Sequence, residues 1–103
     1  MRIIAVKTLK QYYEKYPIAE QAILAWYQET EQANWDNSSE LKIHYKNASI
    51  ITNKRVIFNI CGNKYCLIVD IKYKLKIVFI VWFGPHSEYD KINIKTLNFK
   101  SLK

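Results

Sequence analysis

The chain has 103 residues, half of them apolar and 15% aromatic, with only two glycines and two prolines. That length and composition describe one domain, 1–103, with a single core, and exclude disordered, collagen-like and linker-rich chains. The net charge of +7 is uneven: residues 1–39 carry four basic and five acidic groups, residues 40–103 twelve basic and four acidic. Such a basic half suits a polyanion partner, meaning RNA, DNA or an acidic protein segment, although charge alone equally describes a lysine-rich surface that only solvates the fold. No apolar run reaches the roughly 18 residues of a membrane span. The first residues hold no apolar stretch of signal-peptide length, so a cytoplasmic chain without a membrane partner is expected.

In chain order, residues 2–6 form a short strand pattern. Thr8 and Gln11 have the spacing of a capping box, and Leu9, Tyr12, Tyr13 and Tyr16 then fall on one face of a first helix, 8–16. Pro17 breaks that helix and opens the next, 17–30, in which Ala19, Ala22, Ile23 and Trp26 repeat the spacing. The tyrosine stripe reads as core packing rather than a stacking platform. Between residues 34 and 39 the composition is that of a loop, and Asn37 with Glu40 can cap a short helix running through His44 or Tyr45. His44, flanked in sequence by Lys42 and Lys46, reads as structural.

Residues 55–61 alternate, with Val56, Phe58 and Ile60 on one face and Arg55, Ile57 and Asn59 on the other. Gly62-Asn63 signals a two-residue hairpin, and the return strand carries Tyr65, Leu67, Val69 and Ile71 opposite Lys64, Cys66, Ile68 and Asp70. Residues 76–83 are almost uninterruptedly apolar, the pattern of a central strand buried on both faces. Gly84-Pro85 ends it, a short helix follows over 86–92, and an alternating tail covers 94–99. The order β-α-α-β-β-β defines an α+β domain: an antiparallel sheet covered on one face by two helices, with a short C-terminal helix.

The uncovered sheet face would carry Arg55, Asn59 and Lys64, rimmed by the charged cluster His86, Glu88, Tyr89, Asp90 and Lys91. Histidine is the side chain whose ordinary titration lies near neutral pH, which makes His86 the natural proton carrier of that cluster. Arg55 and Lys64 make that face a shallow basic bowl. Tyr89 can equally be a core ring, and Asp90 a helix-end or ion-pair residue. Cys61 and Cys66, with no second His/Cys pair beside them, are expected to be free thiols without a metal. No cofactor is expected.

Phe58-Asn59-Ile60, Gly62-Asn63-Lys64-Tyr65 and His86-Ser87-Glu88-Tyr89-Asp90-Lys91 together resemble the HigB toxins of the RelE superfamily, and the likeness covers most of the chain. Two positions depart from that pattern: Cys66 stands where the family has arginine, and Pro85 where it has threonine. The resemblance implies a RelE-like fold and a type II toxin that cleaves mRNA on the ribosome without a metal, paired with a helix-turn-helix, HigA-like antitoxin. Direct DNA binding by this chain is not expected. In such a reaction a base removes the ribose 2′-OH proton, an acid protonates the leaving 5′-oxygen, and cations steady the phosphoryl oxygens. His86, Tyr89 and Lys91 are the candidates for proton transfer, and Arg55, Lys64 and Asn59 for holding RNA. The alternatives are a non-catalytic basic module that binds RNA or a ribosomal surface, and a protein-interaction domain.

Overall fold

The structure is a computed structural model that describes residues 1–91. Its elements are β1 (Arg2–Ile4), α1 (Val6–Lys15), a 3₁₀ turn (Pro17–Ala19), α2 (Glu20–Gln32), α3 (Ser38–His44), β2 (Ser49–Ile50), β3 (Arg55–Ile60), β4 (Tyr65–Lys72), β5 (Ile77–Pro85) and α4 (His86–Tyr89). The five strands form one sheet in the order β1-β5-β4-β3-β2. The expected α+β architecture holds. β3, β4 and β5 are the expected antiparallel meander, but β1 joins β5 in parallel, so the sheet is mixed.

Residues 8–16 and 17–30 are helical largely as expected, with small differences of physical origin. Ala5, in the left-handed region at φ 75°, turns the chain straight from β1 into α1. The helix therefore starts at Val6, and Thr8 lies inside the first turn, where its N–H donates to Ala5 O at 3.0 Å rather than forming a capping box. Pro17 opens a 3₁₀ turn before α2. The α3 cap is as read: Asn37 Oδ1 accepts from Glu40 N at 3.0 Å.

Both long helices lie on one sheet face. Leu9, Ala19, Ile23 and Trp26 pack there with Val56, Phe58, Ile60, Leu67, Val69, Ile71, Val78, Ile80 and Phe83, which is the alternation expected of β3 and β4. The tyrosine stripe packs against this core, Tyr12 and Tyr16 meeting Phe83 at ring separations of 5.5 and 6.0 Å. The opposite face holds a smaller cluster of Ile57, Cys66, Ile68 and Val81, with Ile51, Trp82 and Tyr89 against it.

Three expectations of topology need correction. The 76–83 strand is an interior strand, paired on both sides, but the middle of the sheet is β4. Continuous apolarity reports burial of both faces, which an off-centre strand also achieves. The β3–β4 connection is four residues, 61–64, with Cys61 (φ 56°) and Gly62 (φ 65°) both left-handed. β2 has only two residues, too few to show any alternation, and so left no trace in the sequence pattern. The helix expected over 86–92 is shorter, ending at Tyr89 with Asp90 and Lys91 in a turn, and residue 92 and the tail over 94–99 lie outside the described residues.

Candidate active site

The site is set by a bulge. β4 and β5 pair Ile68 with Trp82 but Val69 with Ile80, so Val81 is an extra residue on β5. Val78 and Ile80 face the helices, Val81 and Trp82 both face away, and Phe83 returns to the helical side. One added residue thus reverses the phase of the strand end, as bulges beside functional sites commonly do. Without it, Trp82 and Gly84 would point into the helices. With it, the row Asn59, Cys66 and Gly84 runs across the uncovered face, each residue opposite the next. Gly84 is required there, because a Cβ would lie 2.7 Å from the Trp82 indole.

His86 sits above this row. Its backbone N–H donates to Lys64 O at 3.2 Å, which ties α4 to the β3–β4 turn. Pro85, the residue before α4, gives it no side-chain cap. The His86 ring lies against the buried Cys66 thiol, with Sγ 3.2 Å from Nε2 and 3.4 Å from Nδ1. Tyr89 stands edge-on to it at 5.9 Å. Burial, then the nearby Cys66 and Asp90, raise the Tyr89 phenol above its ordinary range, so it stays protonated and is suited to donate a hydrogen bond rather than to act as a base. Tyr16 Oη donates to Glu88 Oε2 at 3.2 Å, anchoring the outer side of α4 to the end of α1. Lys91, Asp90 and Lys64 are exposed.

The structure brings the His86 and Tyr89 rings together and bonds the Lys64 backbone to His86; Lys91 lies exposed just past α4, and Asn59 one strand away. Arg55 is not among them. It lies four residues down β3 from Asn59, about 13 Å at strand rise, and is only 3% exposed. Its guanidinium makes two 2.7 Å bonds to Asp70, from Nε to Oδ1 and from Nη2 to Oδ2. The sequence placed Arg55 on the correct face, but the cross-strand partner that claims it, Asp70, appears only with the register. Asn59 is half-buried and donates from Nδ2 to Asn47 O at 3.1 Å. Sequence reasoning missed Cys66 as a contact of His86, since the two are 20 residues apart and meet only through the β4–β5 pairing.

Both cysteines are free thiols, and among the described residues no three His, Cys, Asp or Glu side chains converge as metal ligands would. Burial, reinforced by Asp90, pushes the Cys66 thiol up to about 11, and burial pushes Tyr12 up to about 12. The folded state thus keeps protons that the unfolded chain releases nearer pH 8.5 to 10. Stability should be full below that range and fall as pH rises through it toward 11. The slope is at most about 1.4 kcal/mol per pH unit for each proton involved. Urea unfolding at pH 8 and pH 10.5 measures this, and a flat profile would contradict the burial of Cys66.

Fold and sequence match together define the class. A family model for the RelE-like toxic component of a toxin–antitoxin system matches residues 19–92, most of the chain and the whole of the described site. Within that class the chain belongs to the HigB toxin family. No curated protein matches it. As the toxic member of such a pair, the chain has a cognate antitoxin for a partner. Among the described residues no helix is long and apolar enough to cross a membrane.

Proposed function

We propose that this toxin is a cytoplasmic endoribonuclease that cuts mRNA on the ribosome by general acid–base chemistry, using side chains alone and no metal ion. The observation that carries the reading is the meeting of the His86 and Tyr89 rings at the end of β5, on a strand end re-aimed by a bulge, with the Lys64 carbonyl holding the His86 N–H and Lys91 just past α4. His86 is the proton-transfer group, its ring steadied by the Cys66 thiol beneath it. Tyr89, held protonated, donates a hydrogen bond toward the phosphoryl oxygens or the leaving oxygen. Lys64 and Lys91 supply positive charge where negative charge accumulates in the transition state. In this scheme a base among these groups takes the 2′-OH proton as the 2′-oxygen attacks phosphorus, the P–O5′ bond breaks as an acid protonates the 5′-oxygen, and a 2′,3′-cyclic phosphate remains. Arg55 does not hold phosphate; it braces β3 against β4.

The antitoxin is proposed to be a helix-turn-helix protein of the HigA type, which would give the pair its DNA-binding function. Inducing the chain alone in bacteria and mapping new mRNA 5′-ends tests the nuclease reading: discrete new ends within translated codons are expected. Translation arrest with intact mRNA would favour the non-catalytic ribosome-binding alternative.

Binding to ribosomes or RNA should weaken steeply with salt, because twelve of the sixteen basic groups lie in residues 40–103 and phosphate contacts release counterions. For about three phosphate contacts to single-stranded RNA, the affinity should fall roughly tenfold or more from 50 to 200 mM salt. Filter binding across that range checks it, and a flat response would remove phosphate contacts as the main term.

A further inference from the structure

A second concavity lies beside the cluster, along the open edge of β3. β2 pairs with β3 only through Ser49–Ile57 and Ile50–Val56. Beyond that point the strands part, leaving a groove of about 580 Å³ that His44, Lys46, Asn47, Asn59 and Asn63 line above a Phe58 floor. Its outer wall is fixed: Lys42 Nζ donates to Lys46 O at 2.8 Å and to Ala48 O at 2.7 Å, and His44 stacks obliquely on Tyr45 at 4.6 Å. Among the described residues no carboxylate lines it.

The chemistry of this lining fits a nucleotide. Three side-chain amides carry both donors and acceptors, the complement of a base's hydrogen-bonding edge. An exposed imidazole offers a planar surface for stacking, and the Lys46 ammonium suits a phosphate. The position fits as well. Asn59 lies directly opposite Cys66, the residue beneath the His86 ring, and adjacent strands are about 4.8 Å apart. Asn63 precedes Lys64, whose carbonyl holds the His86 N–H. RNA crossing His86 therefore runs toward the groove.

We infer that this groove is a subsite for one nucleotide of single-stranded RNA flanking the cleaved bond, an inference that rests on the nuclease reading above. It takes the base between the asparagine amides and His44, with Lys46 on the adjoining phosphate. Base preference beside the cut is then set here, away from the residues that move protons.

The test uses nuclear magnetic resonance on the full-length chain titrated with each of the four nucleoside 5′-monophosphates and with a short RNA oligomer. Shifts should concentrate on the side-chain amides of Asn47, Asn59 and Asn63. The variant His44→Ala/Asn63→Ala should stay folded, with a small fall in melting temperature from the lost His44–Tyr45 contact, and lose about 5- to 150-fold in oligomer affinity, the range for one lost stacking contact. Lys46→Ala should lower the salt slope by about one. In mapped 5′-ends, His44→Ala/Asn63→Ala should alter the base found next to the cut. Variants that bind, cut and select bases as wild type does overturn the subsite while leaving the nuclease reading in place. Groove shifts in a protein that cuts no mRNA overturn the nuclease reading and, with it, the assignment of the groove beside a cleaved bond, leaving only nucleotide binding there. In a parallel titration with the antitoxin, shifts in the groove that nucleotide and RNA do not produce overturn the subsite, and give the open β3 edge to a protein strand.

Discussion

His86→Ala should lower mRNA cleavage by a factor of about 100 to 10,000, the usual cost of losing a positioned acid or base, and abolish toxicity. The fold should survive. His86 is half-exposed at the start of a four-residue helix, and what ties it to the sheet is its backbone N–H on Lys64 O, which alanine keeps. The measurement is a reporter mRNA cut by purified toxin on ribosomes, alongside a circular dichroism melt of the variant. Tyr89→Phe should give a smaller loss, since it removes one hydrogen-bond donor and leaves the proton carrier. A fully toxic, fully cleaving His86→Ala would remove the role given to His86 and transfer proton movement to Tyr89 or Lys91.

Arg55→Ala should act on stability instead. The guanidinium is buried and doubly bonded to Asp70, whose side chain is itself only 16% exposed. Removing it leaves a mostly buried carboxylate without its counter-charge, which typically costs about 3–5 kcal/mol. For a domain of this size each kcal/mol shifts the melting temperature by roughly 4–8 °C, so a fall of more than 10 °C is expected. The paired replacement Arg55→Met/Asp70→Leu should recover most of that loss, because neither charge then remains to be solvated. If Arg55→Ala kept its stability and lost RNA binding, the guanidinium would be a phosphate ligand after all.

These two variants fall on either side of a division in what the residues disclose. Period-2 alternation in residues 55–60 and 65–71 placed Val56, Phe58, Leu67 and Val69 on the core face correctly, because side-chain direction in a strand follows from the backbone alone. The 3.6-residue spacing placed α1 and α2, and Asn37 with Glu40 placed the start of α3. The charged cluster after Gly84 was legible as well, since its members are contiguous in sequence, although β5 continues through Gly84 and Pro85 before α4 begins.

The fate of Arg55 was not legible. An arginine on the uncovered face is the same in sequence whether it meets solvent or an aspartate, and only the β3–β4 register puts Asp70 opposite it. The Val81 bulge is hidden for a related reason: in an apolar run every residue is compatible with either face, so no pattern marks the extra one. That single insertion decides that Gly84 and the residues after it meet Cys66, and hence where His86 stands. By itself the sequence determined the elements, their inward faces and the chemistry available at the end of β5, all of which depend on neighbours a few positions away. Tertiary structure alone decided which polar groups are consumed by partners and which stay open to a ligand, because strand pairing fixes those partners across 15 to 20 residues of chain.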